Sequence, residues 1–160
     1  MSSYDVAQIC KNGHLINESY ISYPQHNQKY CSLCGAETII ACEFCGEKIR
    51  GYYSSDVLIL SSDPTPVPSY CPNCGKPYPW TKSALESAAL LITEEEEFSE
   101  QMRDSLIDSL PDIITETPKT NLAVVRIKKG LLCAGKFTAE AIRQFVIDFG
   151  CELAKKSIGL

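Results

Sequence analysis

Histidine and long apolar runs are scarce in this chain, and each scarcity closes off a class of function. The two histidines, His14 and His26, both lie near the start. No triad, phosphate-binding glycine loop or paired acid and base is visible, so an enzyme is not expected. No uncharged stretch reaches the roughly 18 residues that a membrane helix needs. The start Met-Ser-Ser-Tyr-Asp has neither the basic region nor the apolar core of a secretory leader. A soluble, unsecreted, cytoplasmic protein without a transmembrane segment is the expectation.

Positive charge is also short. The formal net charge is −5, spread over blocks of −1 (residues 1–83), −9 (84–118) and +5 (119–160). Affinity for a phosphate backbone rests largely on Lys and Arg, so the overall balance disfavours nucleic acid. The basic tail leaves a local exception open, or it neutralises the acidic block within the same chain.

Cysteine, by contrast, is plentiful, with nine in 160 residues, seven of them before Trp80. In a reducing compartment, paired cysteines are more often metal ligands than disulfides, and an odd count leaves one thiol over. Three units repeat: Cys31-Ser-Leu-Cys34-Gly35, Cys42-Glu-Phe-Cys45-Gly46 and Cys71-Pro-Asn-Cys74-Gly75. A fourth is altered, Cys10-Lys-Asn-Gly13-His14. Each fits a knuckle in which two donors on a tight turn grip one face of an ion, and the following glycine supplies the positive φ on which the chain leaves.

Tetrahedral zinc takes four ligands, so the knuckles must pair. Eight donors make two complete sites with none left over. Sequential pairing gives site one as Cys10, His14, Cys31 and Cys34, and site two as Cys42, Cys45, Cys71 and Cys74. A cross-braced pairing is the alternative, and the short spacer Glu37–Ala41, read as a strand linking one ribbon to the next like beads on a string, favours the sequential one. His26, in the polar turn Pro24–Gln28, is the rival fourth ligand of site one and is expected to be solvated instead. A thioredoxin-like redox centre would need a helix starting at the second cysteine, where this chain has glycine. Full protein ligation marks both zinc ions as structural, because a catalytic zinc keeps a position open for water.

The string Ala7-Gln-Ile-Cys10-Lys-Asn-Gly-His14, with Ile49-Arg-Gly51 and Tyr70-Cys-Pro-Asn-Cys-Gly-Lys-Pro-Tyr-Pro-Trp80-Thr81, resembles a bacterial double zinc-ribbon family known only as a domain of unknown function. The resemblance covers residues 4 to about 83 well and the tail loosely. It implies zinc in the ribbons and lends no activity. His14 replaces the second cysteine of an all-cysteine ribbon and sits one position later.

The expected fold is α+β, with two tandem β zinc ribbons with rubredoxin-like knuckles in residues 1–80 and an all-α module of three to four helices in 81–160. Strands are expected at Asp5–Ile9, Glu37–Ala41, Lys48–Tyr53 and Val57–Leu60, before a proline-laden loop, Ser61–Pro68. Arg50, Tyr52, Tyr53, Tyr70, Tyr78 and Trp80 are expected near site two, as a stacking platform or as apolar cover. Thr81 is read as the cap of the first helix and Thr93–Glu96 as the capping box of the second. Pro111 ends that second helix, Thr117-Pro118 opens a third that Gly135 closes, and a last helix runs from Thr138 to Lys156. The apolar stripe of that last helix serves a bundle or a homodimer rather than a membrane surface. Cys133 and Cys151 are read as core thiols. The function expected is a non-catalytic adaptor that binds a protein partner, with nucleic-acid binding through the second ribbon and basic tail as the alternative.

Overall fold

The computed structural model describes residues 3–55 and 63–160. The chain divides into two compact units, Met1–Lys82 and Ser83–Leu160. The first holds small β-sheets and the second is helical, an α+β composition. Among the described residues no helix is long and apolar enough to cross a membrane.

In the first unit β1 (Ser3–Val6) pairs antiparallel with β5 (Arg50–Ser54), setting Tyr4 opposite Tyr53. β2 (Gln8–Cys10) is the centre of a second sheet, between β3 (Leu15–Asn17) and β4 (Thr38–Ile39). The single strand expected over Asp5–Ile9 is therefore two strands in different sheets. The chain changes sheets at Ala7, which is wholly buried and gives its N–H to the Ile49 carbonyl at 2.9 Å. Nor are the ribbons separate beads. β1, which leads into the site-one ribbon, is paired with β5, which follows the Cys42–Cys45 knuckle of the other ribbon. Such short ribbons bury too little apolar surface alone, so they share strands. The expected strand Val57–Leu60 lies outside the described residues, and the proline segment from Asp63 has no regular structure.

The packing at this crossing admits no side chain at residue 51. A Cβ on Gly51 would lie 2.1 Å from the Glu18 carbonyl oxygen and 2.8 Å from the Ala7 nitrogen, both backbone atoms that cannot swing aside. Tyr52 N–H donates to that same carbonyl at 2.7 Å. Ala7, Ile9, Cys42, Ile49, Cys71, Tyr78 and Trp80 form the buried core, so two cysteines do the work of core apolar residues.

The second unit contains five helices rather than three or four: α1 (Pro79–Glu94, beginning in the first unit), α2 (Glu100–Ile114), α3 (Thr120–Cys133), α4 (Lys136–Phe149) and α5 (Glu152–Ile158). Ile92, Phe98, Leu106, Leu110, Ile113, Ile127, Ile142 and Val146 are prominent in its core.

Several expected boundaries shift for local reasons. Thr81 lies inside α1, its hydroxyl donating to the Ser69 carbonyl at 2.7 Å. Thr93 is also within α1 and bonds back to the Ala89 carbonyl, so the cap of α2 is Ser99, which accepts the Met102 N–H at 3.2 Å. Pro111 is tolerated in the last turn of α2 because Leu110, Ile113 and Ile114 are buried there. Thr117 and Pro118 precede α3 in a turn, where Thr120 Oγ1 accepts the Thr117 N–H at 2.8 Å. Gly135 stands between helices as the cap of α4.

The single last helix is broken at Gly150. A Cβ there would lie 2.4 Å from the Val146 carbonyl oxygen, and the Cys151 N–H turns to the Ile113 carbonyl at 2.8 Å. Cys133 is exposed and Cys151 only half-buried, so neither is a fully buried core thiol, although Cys151 packs against the core's edge.

Glu95 is no first-turn acid either. Its carboxylate accepts the N–H groups of Glu97 (3.1 Å) and Gly135 (3.2 Å), tying the α1–α2 link to the start of α4, where the helix dipole favours negative charge. The Thr138 hydroxyl, foremost, together with those N–H groups and the Arg103 charge, holds this carboxyl below its ordinary 4.5.

Two outcomes are expected. Gly51→Ala lowers the stability of the first unit by about 2–3 kcal/mol, read as a lower urea midpoint. Glu95→Gln lowers the melting temperature at neutral pH. Because the folded carboxyl titrates below its unfolded value, its contribution is complete above pH 4.5 and lost as pH falls through the folded pKa. The gap between wild type and variant therefore closes in acid.

Candidate metal centres

The three Cys-x-x-Cys-Gly units fold alike, down to individual hydrogen bonds. In each, the glycine N–H returns to the carbonyl of the first cysteine: Gly35 to Cys31 at 2.8 Å, Gly46 to Cys42 at 2.9 Å and Gly75 to Cys71 at 2.8 Å. The first cysteine N–H in turn bonds the carbonyl of Ala36, Glu47 or Lys76. Antiparallel bridges Tyr30–Glu37, Ala41–Lys48 and Tyr70–Pro77 close the turns. Gly35, Gly46 and Gly75 have φ between 73° and 77°, the left-handed conformation that side chains resist. The fourth unit is tighter, with Gly13 N–H on the Cys10 carbonyl and the Cys10 N–H on that of His14. This inward turn lets a histidine one position later reach the place of a cysteine.

The turns converge in two tetrads. The donor atoms of Cys10, His14, Cys31 and Cys34 all lie within 4.8 Å of one another, as do those of Cys42, Cys45, Cys71 and Cys74. Cys10 Sγ is 3.7 Å from Cys34 Sγ, and His14 Nδ1 is 3.4 and 3.6 Å from Cys10 and Cys31 Sγ. In the other tetrad the Cys42–Cys74 and Cys45–Cys71 sulfurs are 3.7 and 3.6 Å apart. A disulfide would need about 2.05 Å. Bonds of about 2.3 Å to sulfur and 2.0–2.1 Å to nitrogen, set tetrahedrally, give edges of about 3.8 Å between sulfurs and 3.6 Å from sulfur to nitrogen. The donor sets therefore fit a tetrahedral ion of zinc's size, with His14 donating through Nδ1. His26 stands outside both tetrads, exposed in a 3₁₀ turn, Pro24–His26.

Donors already point at the sulfurs. The Cys10 sulfur accepts the His14 N–H at 3.3 Å and Cys31 that of Leu33 at 3.4 Å. Asn12, a role its place in the first knuckle did not reveal, brings its side-chain amide to 3.4 Å from Cys34 Sγ. The Ala36 N–H, with Asn12 behind it, draws the Cys34 thiol down to about 6, and the Cys74 and Asn73 N–H groups do the same for Cys71. Cys74 goes the other way, to about 11. The Lys76 N–H favours its thiolate, but burial and the neighbouring sulfurs of Cys42, Cys45 and Cys71 outweigh it. Four sulfurs this close cannot all ionise without a cation among them.

Around site one, buried Gln8 donates to the Gln28 carbonyl (2.7 Å) and Thr38 Oγ1 (2.9 Å) and accepts the Gln28 N–H (3.0 Å). Asn17 donates to the Tyr23 carbonyl and Asn27 Oδ1. These bonds fasten the polar loop onto the sheet.

The expected aromatic cluster divides in two. Tyr78 and Trp80 are buried and stacked, with centroids 4.8 Å apart. Arg50 and Tyr53 instead gather on the exposed Tyr4, at 5.2 and 4.9 Å, on the β1–β5 ribbon.

A chain with two closed Cys/His tetrads on repeated knuckles and a helical second unit is thereby defined. The model of a family described as an uncharacterized protein conserved in bacteria (DUF2321) matches residues 3–158, and the chain belongs to that family. The match runs through the helical unit, beyond the ribbon segment that carried the sequence resemblance. Neither a curated protein nor a solved structure matches the chain.

Replacing His14 with Ala is expected to leave one firmly held metal equivalent after dialysis against a chelator, and His26→Ala to leave two. Elemental analysis of the dialysed proteins decides between the two histidines.

Proposed function

We propose that residues 1–80 form a tandem zinc ribbon and residues 81–160 a helical module, together acting as a non-catalytic adaptor for a protein partner in the cytoplasm. The carrying observation is the pair of tetrads, whose donor atoms lie within 4.8 Å of one another, with several pairs at 3.4–3.7 Å. The proposed ligands are Cys10, His14, Cys31 and Cys34 for one zinc ion, and Cys42, Cys45, Cys71 and Cys74 for the other. Thiolate and imidazole are donors suited to zinc, and four protein ligands leave no position for a reacting water. Zinc binding stabilises the ribbons by on the order of 10 to 16 kcal/mol, adding to their small shared core.

Exposed apolar side chains support a protein partner. Leu33 and Phe44 stand out at knuckle tips, 78 % and 63 % exposed. In the second unit Ala88, Leu91, Ile92, Phe137, Ile142 and Phe145 are among the residues lining an apolar groove of about 410 Å³. The exposed Arg50–Tyr4–Tyr53 stack favours nucleic acid as the second reading, against the net charge of −5.

Purification from a native bacterial host with zinc retained should yield two equivalents of zinc and a co-purifying protein that salt does not dislodge. Iron in the second site, or fewer than two equivalents of metal, would overturn the zinc reading. A nucleic acid released steeply by salt would overturn the adaptor reading. Chelation should abolish amide dispersion for residues 1–80 in NMR spectra while much of the helical circular dichroism persists.

A further inference from the structure

We propose that the second unit pairs with a second copy of itself across the outer face of α2 and α3, each copy setting the acids of α2 against the lysines along the other's α3. Residues 84–118 carry a net −9 and residues 119–160 a net +5, and much of that charge is not spent inside the chain. α2 has Arg103 as its one cation, and that guanidinium is taken up by the Glu95 carbonyl at 2.6 Å. α3 has no acid at all. Glu100, Asp104 and Asp108 on α2 are exposed, as are Lys128 and Lys129 on α3 and Lys136, the first residue of α4. Among the described residues none of these six side chains has an ion-pair or hydrogen-bond partner, whereas Lys155 pairs with Glu152 at 3.7 Å.

The two rows are in register for such a pairing. The three acids, four residues apart, share one stripe of α2, on the side away from Leu106, Leu110 and Ile113 in the core. On α3, Leu122, Val125 and Lys129 likewise turn away from the buried Ala123, Val124 and Ile127. A Cβ on Gly130 would lie 2.9 Å from Leu106 Cδ2, and Arg126 Nη1 reaches Ser109 Oγ at 3.4 Å, so the two helices lie close and antiparallel. Asp108 is then level with Lys128 and Lys129, and Glu100 with Lys136. A two-fold axis running between the helices and parallel to them brings each α2 over the α3 of the other copy at an unchanged level. The acids then face lysines in both directions, and the exposed Pro111 covers Val125 and Leu122, which are 48 % and 50 % exposed in one chain. The pattern is self-complementary. An anionic lipid surface or a nucleic acid drawn to the lysines is repelled by the acids beside them.

The test is analytical ultracentrifugation of the full chain, with a reductant that keeps the exposed Cys133 from cross-linking. The wild type should sediment as a reversible dimer. Each double reversal, D104K with D108K or K128E with K129E, should weaken it about 10-fold or more, because like charges then face each other. Mixed in equal amounts, the two variants should dimerise together, since one carries cations and the other acids on both rows. A monomeric wild type, or reversals that leave the dimer unchanged, overturns the proposal. A monomer that binds phosphatidylglycerol vesicles assigns the lysines to lipid instead and overturns it too. Should a variant lose its helical circular dichroism, the wild type decides. Raising salt from about 0.01 M to about 1 M shortens the screening length from about 30 Å to about 3 Å and should dissociate the dimer, while a dimer that resists salt refutes this face.

Discussion

Mutual repulsion among sulfurs sets the terms for the first unit. Four thiols drawn to about the same point cannot all shed their protons without a cation, and kept protonated they form a poor core. Yet the chain spends four tight turns, each with a left-handed glycine, on bringing the donors together. Cys42 and Cys71 are buried with Ile9 and Ile49 as though they were apolar residues. A fold arranged this way is suited to a dication at each tetrad, and its sheets, at two to five residues per strand, are fittings around the tetrads.

The knuckles were legible because their causes are local. Spacing brings two donors to one side of a turn, and glycine permits the exit, whatever the rest of the chain does. The division of Asp5–Ile9 between two sheets was not legible, since it depends on Ile49 reaching Ala7 from forty residues away. The aromatic residues were misgrouped for a similar reason. Their place in the sequence put five of them, with Arg50, near one site, but whether each faces inward is decided by packing that only the folded chain contains.

Helix boundaries failed where two local rules competed. Thr93 read as a cap, but the buried side chain of Ile92 kept α1 going past it, and Ser99 caps α2 instead. Pro111 should stop a helix, but the following Ile113 and Ile114 have a core to enter, so the turn continues without the missing N–H. The apolar stripe from Ile142 to Leu153 has helical spacing on both sides of Gly150. Its interruption came from Cys151 bonding the Ile113 carbonyl, a partner the stripe itself cannot announce.

Trp80 is the one tryptophan in the chain, and its place has a practical consequence. A Cβ on Gly13, next to His14, would sit 3.0 Å from the Trp80 Cβ, while the indole's other neighbour is the Tyr78 ring beside Cys71. The indole is thus wedged between the turn of one tetrad and the lid of the other. Nature has left an optical probe at the junction of the ribbons, so emission colour and quenching can follow both of them in real time without any label.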